Sequence, residues 1–427
     1  MKKVAFHNLG CKVNSYETAH MEELFKQKGY EIASFNDVAD IYIVNTCSVT
    51  NIADRKSRQM LHRAKKKNQE AVVVACGCYA QTKTEEAQLD PSIDIVVGNN
   101  KKNNIVDIVE QYMNDNETNM TQVIDINNTD EYEDMDYATV TEHTRAHIKI
   151  QDGCNNFCSY CIIPYARGRV RSRSIDSVIK EAIELVQLGY KEIVITGIEV
   201  SSYKDGDKTL QDLIVMLDQI KGLERLRLSS LNPDIITEDF VKTISETRTL
   251  CPHFHLSLQS GCDKILKGMN RHYTTAEYLE KCELLRKYFD DPAITTDIIV
   301  GFPGEDDQDF ATTMEFVKKV RFSMLHVFKY SRRDGTVAAS MDNQVDESVK
   351  SARSEQLIAL GKQLQNEYEM QYVGQPLEVL FEEQKKDGRL VGHTRNYLTV
   401  SAETSENWIN SIKCVTAVKL ENDELMA

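Results

Sequence analysis

Three cysteines stand at C-x3-C-x2-C spacing in Asp152-Gly153-Cys154-Asn155-Asn156-Phe157-Cys158-Ser159-Tyr160-Cys161. Three thiolates on a four-iron cube leave one iron without a protein ligand. Such an iron can chelate the amino and carboxylate groups of S-adenosylmethionine (SAM), and an electron passed into the sulfonium then breaks a C–S bond to release a 5′-deoxyadenosyl radical. Zinc is the competing metal, but zinc sites usually take paired C-x2-C units with a fourth Cys or His nearby, and none accompanies this run. Cys11, Cys47 and Cys78 are scattered, yet each follows an apolar, strand-like stretch, at 4–8, 41–45 and 71–75. In a doubly wound parallel sheet the carboxyl ends of strands face one crevice, where three thiolates can hold a second cluster; buried or redox-active thiols are the alternative. Cys76 competes with Cys78, and Cys78 is preferred because it heads the Gly77-Cys78-Tyr79-Ala80-Gln81 turn. Isolated cysteines such as Cys282 and Cys414 read as core residues.

The elements that must position these groups follow from periodicity. A further apolar run at 93–97 completes the N-terminal series. The intervening segments are helical, the first with Asn14 as its expected N-cap, Glu17 three residues on and Gly29 at its end. Continuous apolar runs separated by helices predict a doubly wound parallel sheet in a first domain, 1–112. Residues 113–142 are acidic, weakly periodic and rich in Asn and Thr, and read as a linker. Strand-like runs then recur at 146–150, 193–197, 225–229, 254–258, 294–300 and 325–330, with amphipathic helices such as 175–188 and 276–289 between them. Six βα units predict a partial (β/α)6 barrel over 143–370, with the C-x3-C-x2-C run at the end of its first strand, on the face where βα loops build active sites. From 371 to 427 short β runs follow without helices, at 377–382, 389–393, 397–400 and 416–420, which predicts a small β-barrel appendage.

Composition sets the limits. Of 427 residues 27% are charged, and the mean hydropathy of −0.42 goes with the absence of any run near the roughly 18 apolar residues of a membrane span. The N-terminus lacks the apolar stretch of a secretion signal, so the cytoplasm is the expected compartment. Eleven cysteines in such a chain favour metal or redox chemistry over a disulfide framework. The net charge of −15 is uneven: residues 113–144 hold nine acids and no Lys or Arg, and without them the balance is −6. Basic residues gather at Arg55, Lys56, Arg58, Arg63, Lys65, Lys66 and Lys67, at Arg167, Arg169, Arg171 and Arg173, and at Arg332 and Arg333. A polyanion responds to local potential, so RNA stays admissible as a partner.

Asn8-Leu9-Gly10-Cys11-Lys12-Val13-Asn14, Asn45-Thr46-Cys47 and Gly77-Cys78-Tyr79-Ala80-Gln81 resemble the three cysteine motifs of the radical SAM methylthiotransferases. The central cysteine run, Gln259-Ser260-Gly261, Gly301-Phe302-Pro303-Gly304-Glu305 and Tyr330-Ser331-Arg332-Arg333 resemble that family's barrel, and the segment from Tyr372 through His393 resembles its RNA-binding TRAM domain. The match runs the length of the chain in the family's domain order. It implies two [4Fe–4S] clusters, one on Cys154, Cys158 and Cys161 and one on Cys11, Cys47 and Cys78. It implies SAM contacts from Tyr160, from Thr196, Gly197 and Glu199 toward the amino group, from Gln259 and Ser260 toward the ribose, and from Gly301 and Phe302 toward the adenine. The nearest branch is the one that converts N6-threonylcarbamoyladenosine at tRNA position 37 to its 2-methylthio derivative. There the radical takes hydrogen from C2 of the adenine, the second cluster supplies or carries sulfur, and another SAM supplies the methyl group. N6-isopentenyladenosine and a ribosomal-protein aspartate are the alternative targets, and a non-catalytic Fe–S or zinc RNA-binding protein is the alternative of another class. Expected partners are the tRNA anticodon loop, held in part by Lys385, Lys386, Arg389, His393 and Arg395, a reductant protein and a sulfur donor, with no membrane.

Overall fold

Residues 41–46 and 72–77 have no polar face to turn to solvent, so strands formed there must be covered on both sides. The computed structural model, which describes residues 1–115, 119–135 and 144–427, covers them as the pattern requires. Strands β1 (Lys3–Asn8), β2 (Glu31–Ala33), β3 (Ile41–Thr46), β4 (Val72–Gly77), β5 (Ile95–Val97) and β6 (Met120–Gln122) form one parallel sheet in the order β2-β1-β3-β4-β5-β6. Alternate side chains feed two cores: Tyr42, Val44, Val73 and Ala75 pack with Leu61 and Ala64 of the helix Asn51–Lys67. Ile41, Ile43, Val74 and Cys76 pack with Met21 and Phe25 of the helix Lys12–Gln27 and with Val109 of the helix Ile105–Asp115. The strand order reverses between β1 and β3, and ligand crevices in open α/β sheets lie at such a switch point. Cys11 and Cys47 follow those two strands.

Two expectations for this region change. The stretch expected as a linker contributes strand β6 and buries Ile126 and Met135; its residues 116–118 and 136–143, with Glu117, Asp136 and Glu142, lie outside the described residues. The first helix begins at Lys12 with Cys11 at its N-cap position, and Asn14 is not a cap. The Asn14 amide is buried and donates to the carbonyls of Leu9 (2.7 Å) and Thr46 (3.0 Å), tying the Cys11 loop to the Cys47 loop. Glu17, the expected capping partner, is also buried.

The second domain carries β7 (Arg145–Asp152), with the short antiparallel β8 (Arg171–Ser172) at its end, then β9 (Glu192–Gly197), a small hairpin β10–β11 (Lys204–Asp205 and Lys208–Thr209), and β12 (Arg225–Leu228). Strands β13 (His253–His255), β14 (Ala293–Val300) and β15 (Met324–Lys329) form a second parallel set. Parallel bridges Leu226–Leu250 and Leu231–Leu256 join the sets. The result is six parallel strands (β7, β9, β12, β13, β14, β15) in chain order, the arc of a partial barrel, at the six places the periodicity indicates. Several of the helices outside it are capped locally: Thr274 and Glu277 form a reciprocal capping box on the helix Thr275–Tyr288. The 24-residue helix Glu347–Met370 closes the arc against β15, Leu325 packing where Gly361 leaves room.

The C-terminal strands β16 (Pro376–Gln384), β17 (Leu390–Thr394), β18 (Thr399–Ala402), β19 (Ser411–Thr416), β20 (Lys419–Glu421) and β21 (Glu424–Met426) form a mostly antiparallel sheet in the order β19-β16-β17-β18-β21-β20. The run expected as one strand over 416–420 spans the break between β19 and β20. Cys282 is buried in the core as expected, whereas Cys414 is exposed, because it takes the outer face of β19 while its neighbour Val415 packs on the core. The sheet is seated on the barrel by Arg225, which donates to the carbonyls of His393 and Glu378, and by Arg227, which donates to those of Thr394 and Arg395. Among the described residues no helix is long and apolar enough to cross a membrane.

Candidate active site between two cysteine triplets

The central triplet sits on a loop that is pinned on every side. Strand β7 ends at Asp152, and Gly153 turns the chain at φ +75°, where a Cβ would fall 1.9 Å from the Arg169 carbonyl oxygen. The Cys154 N–H donates to the Gly168 carbonyl at 3.0 Å, and the Ser159 N–H and hydroxyl donate to Met269 and Gly268. Within the loop the Asn156 N–H points to the Cys154 sulfur at 3.5 Å and the Arg271 guanidinium to the Cys158 sulfur at 3.4 Å. Arg271 is itself held by the Asn232 side chain and the Ser257 carbonyl. Burial pushes the Cys154 thiol up to about 11 and that of Cys161 up to about 12. Bare, these groups stay protonated at neutral pH; a metal cation is what turns such thiols into thiolates.

The second triplet assembles from three strand ends. Gly10, at φ +106°, brings the Cys11 loop against Cys47: a Cβ on Gly10 would lie 2.9 Å from the Cys47 Cβ and 3.0 Å from its sulfur. Cys78 begins the short helix Cys78–Thr82, and the Asn99 amide approaches its sulfur at 3.8 Å. Cys11 is exposed, while Cys47 and Cys78 are buried; burial pushes the Cys47 thiol up to about 11. Cys76 is elsewhere. Its side chain lies in the core on the first-helix side of the sheet, its thiol 3.6 Å from the Val44 carbonyl. The structure thus gathers Cys11, Cys47 and Cys78 and leaves Cys76 out.

A buried ionic cluster lies between the triplets. Arg167, at the end of the helix Ile163–Arg167 that follows Cys161, donates to Glu17 (2.5 and 3.0 Å), to Asn14 (2.5 Å) and to Asp152 (3.2 Å). Lys149 pairs with both Glu17 (2.8 Å) and Asp152 (2.6 Å), and Lys102 pairs with Glu17. Every one of these side chains is 0–6% exposed. Burial alone would raise the Glu17 carboxyl, but Arg167, Lys102 and Lys149 outweigh it and hold it well below the usual carboxylate range. The same balance takes Asp152 down to about 2. Nothing in the sequence marks this cluster as a unit. Glu17 and Arg167 belong to different domains, and only the interface brings them together.

A cavity of about 190 Å3 opens beside the central triplet. Tyr160, Cys161, Ile162 and Ile163 form one wall, Gln259, Asp297 and Ile299 the barrel floor, and Phe328, Lys329, Tyr330 and Ser331 another side. Val49 and Thr50, two and three residues after Cys47, complete it. Asn51 fixes this junction by donating to the Ser331 hydroxyl and the Arg332 carbonyl, and Arg333 reaches across to Asp54 (2.7 Å) and Ser48 (2.9 Å). The contribution of Val49 and Thr50 was not foreseen from sequence, although the cysteine just before them was.

The residues expected to contact SAM divide into two groups. Tyr160 and Gln259 line the cavity. Glu199 stands beside Cys154, holding the Asn156 amide with one carboxylate oxygen (3.0 Å), with Ser201 also close to its buried carboxylate, whose proton affinity is raised chiefly by burial. Thr196 and Gly197 end β9 next to it. Ser260, Gly301 and Phe302 do not line the cavity. The Ser260 hydroxyl accepts from the Cys262 N–H, a Cβ on Gly301 would lie 2.3 Å from the Lys350 side chain, and Phe302 packs with Met269 and Tyr330. In the C-terminal sheet, four of the five expected RNA-binding side chains are engaged internally. Lys385 pairs with Glu424, Arg389 with Asp387 and His393 with Glu382, and Arg395 donates to the Arg248 and Leu250 carbonyls.

Residues 148–317 match the model of the Radical SAM superfamily, and residues 3–98 match that of the Uncharacterized protein family UPF0004. The chain is 43% identical to the threonylcarbamoyladenosine tRNA methylthiotransferase MtaB of Bacillus subtilis, over 98% of this chain and 94% of that one. It is 34% identical to the tRNA-2-methylthio-N(6)-dimethylallyladenosine synthase of Finegoldia magna, over 94% of this chain and 89% of that one. Among solved structures it is similar in fold to the radical SAM methyltransferase TsrM of Kitasatospora setae, with a TM-score of 0.58 and 13% identity over 79% of this chain and 77% of that one. A barrel carrying the C-x3-C-x2-C loop, an N-terminal sheet that gathers three further cysteines and near-complete similarity to methylthiotransferases agree: the chain belongs to the radical SAM methylthiotransferase family.

Proposed function

We propose that this enzyme converts N6-threonylcarbamoyladenosine at position 37 of tRNA to its 2-methylthio derivative. The observation that carries the reading is the shared cavity, whose wall contains Cys161 on one side and the segment just beyond Cys47 on the other. The residues fit two [4Fe–4S] clusters and SAM: six free cysteines stand in two sets of three, and the buried Glu199 carboxylate lies beside one set, where it suits an ammonium group. When bound, these groups supply reductive cleavage of a sulfonium C–S bond, which opens the adenine C2–H bond, together with delivery of sulfur and a methyl group.

The chain's own residues do the positioning. Arg271 and the Asn156 N–H place positive partial charge on the thiolates of Cys158 and Cys154, offsetting the anionic charge that collects there. Glu199 orients a cationic amine. The apolar side chains Ile162, Ile163, Ile299 and Phe328 give the cavity an apolar lining against which a nucleobase can pack. The Arg167–Glu17–Asp152 cluster locks the two triplets at a fixed separation. A target base must leave its stack to enter, which suits an anticodon loop, where bases are already unpaired. The C-terminal sheet is read as the family's TRAM domain, and the reductant and sulfur donor as separate proteins.

The test is anaerobic reconstitution with iron, sulfide, dithionite and SAM in the presence of anticodon stem-loops carrying either threonylcarbamoyladenosine or isopentenyladenosine. The reading expects 5′-deoxyadenosine and a methylthiolated product from the first RNA. Modification of the second RNA alone would overturn the assigned nucleoside. Absence of 5′-deoxyadenosine from iron-loaded protein would overturn the enzyme chemistry.

A further inference from the structure

The helix Asn51–Lys67 starts at the cavity. Thr50, a cavity-lining residue, is its N-cap and accepts from the Ala53 N–H. Its buried face packs Leu61 and Ala64 on the sheet, while its outer face presents Arg55, Lys56, Arg63 and Lys66, all exposed. These four recur at intervals of one, seven and three residues, which keeps them on one side of the helix. At 1.5 Å per residue the stripe runs about 16 Å away from the cavity. Neighbouring cations are neutralised, Arg58 by Glu86 and Lys65 by Asp94. Among the described residues none of the four has a carboxylate partner, and Arg63 donates only to an uncharged side chain, that of Asn36. In a chain of net charge −15, a row of four unneutralised cations beginning at the active-site lip is a local potential of the opposite sign.

The lip itself is apolar. Val49, Ile52 and Phe328 are each about half exposed (52%, 56% and 49%), and Val49 and Phe328 line the cavity. Exposed aromatic and aliphatic surface beside a cationic track is the combination that single-stranded nucleic acid uses, bases on the first and phosphates on the second. In the C-terminal sheet Lys385 and Arg389 pair with acids, Arg395 donates to backbone carbonyls, and Lys386 of the expected set has no such partner among the described residues.

We propose that the phosphate backbone of the substrate RNA docks along the outer face of the helix Asn51–Lys67, with Arg55, Lys56, Arg63 and Lys66 as its contacts and Val49, Ile52 and Phe328 as the collar on which loop bases rest. This rests on the tRNA substrate proposed above, and it assigns an electrostatic contact to the N-terminal domain in addition to any made by the C-terminal sheet. Phosphate contacts position an RNA without reading its sequence, so the surface sets register for the cavity while the cavity selects the base.

Binding of a labelled anticodon stem-loop to the reconstituted enzyme, measured across a salt series, tests this. The quadruple variant Arg55→Gln, Lys56→Gln, Arg63→Gln, Lys66→Gln is expected to bind about tenfold or more weakly at low salt. Its slope of log K against log salt should fall by roughly three. The variant Arg55→Lys, Arg63→Lys, which keeps the charge, should retain the wild-type slope, and so should Lys386→Gln. Wild-type affinity and slope in the quadruple variant, with unchanged iron content and melting midpoint, would overturn the proposal, as would a slope that collapses only in Lys386→Gln. If the wild-type enzyme itself showed no salt-dependent binding of the stem-loop, the tRNA reading would fail, and this proposal with it.

Discussion

Replacing Glu17 by Gln is the sharpest probe of how the two domains are held. Glu17 is 1% exposed and serves three buried cations, Arg167, Lys149 and Lys102. The substitution keeps the shape and removes the charge, leaving those three cations with Asp152 as their remaining carboxylate in the cluster. Breaking a buried pair by removing one partner costs about 3–5 kcal/mol, mostly because the other charge is stranded. For domains of this size that is a fall in melting midpoint of roughly 6–20 °C. Lys102→Met should cost less, since Glu17 keeps two cations. The pH dependence has a definite sign. The carboxyl is held well below its ordinary value of 4.5, so its stabilisation is fully present above pH 4.5 and is lost as pH falls through the depressed folded value. The difference between wild type and Glu17→Gln should therefore be flat from pH 8 to pH 5 and shrink only at lower pH. Calorimetry of both proteins across that range decides it: a midpoint difference under about 2 °C, or one that disappears near pH 6, would mean that the Glu17 charge does not hold the domains together.

Three further outcomes follow from the cysteine triplets and from Glu199 beside one of them. Removing either triplet, as Cys154→Ala, Cys158→Ala, Cys161→Ala or as Cys11→Ala, Cys47→Ala, Cys78→Ala, should leave about four irons per chain in the reconstituted protein; loss of all iron from either variant would deny independent sites. Cys78→Ala should lose the second cluster's absorbance, whereas Cys76→Ala, whose thiol faces the core, should keep it and lower stability by about 1 kcal/mol through the cavity created. Glu199→Gln should raise the KM for SAM by about tenfold, the scale of one charge-assisted hydrogen bond, with little change in iron content; an unchanged KM would detach Glu199 from the SAM site.

Much of this arrangement was legible in the residues. Val/Ile runs such as 41–46 and 72–77 announce buried parallel strands because no other element hides both faces of so apolar a stretch, and a cysteine after each strand then lies at the crevice by topology. What stayed hidden depends on partners distant in the chain. Asn14 and Glu17 have the spacing of a capping pair, yet the second domain supplies Arg167 and Lys149 and draws both side chains into an interface that no local pattern encodes. Gly301 precedes a turn suited to approaching a ligand, but Lys350, on a helix almost fifty residues later, fills the space. The acids that the C-terminal cations meet are likewise set by tertiary folding, Glu424 reaching Lys385 and Glu382 reaching His393. Strand β6 was masked by the acids around it: only Met120 of its three residues is buried, too little to show as a period.

The nucleoside profile of tRNA from a host strain deleted for this gene, and then complemented with it, tests the assigned reaction in the cell. On deletion 2-methylthio-N6-threonylcarbamoyladenosine is expected to disappear, with its unthiolated precursor accumulating. It should return with the wild-type chain, but not with Cys154→Ala, Cys158→Ala, Cys161→Ala. Normal levels of the thiolated nucleoside in the deletion strain, or its restoration by the triple variant, would contradict that assignment.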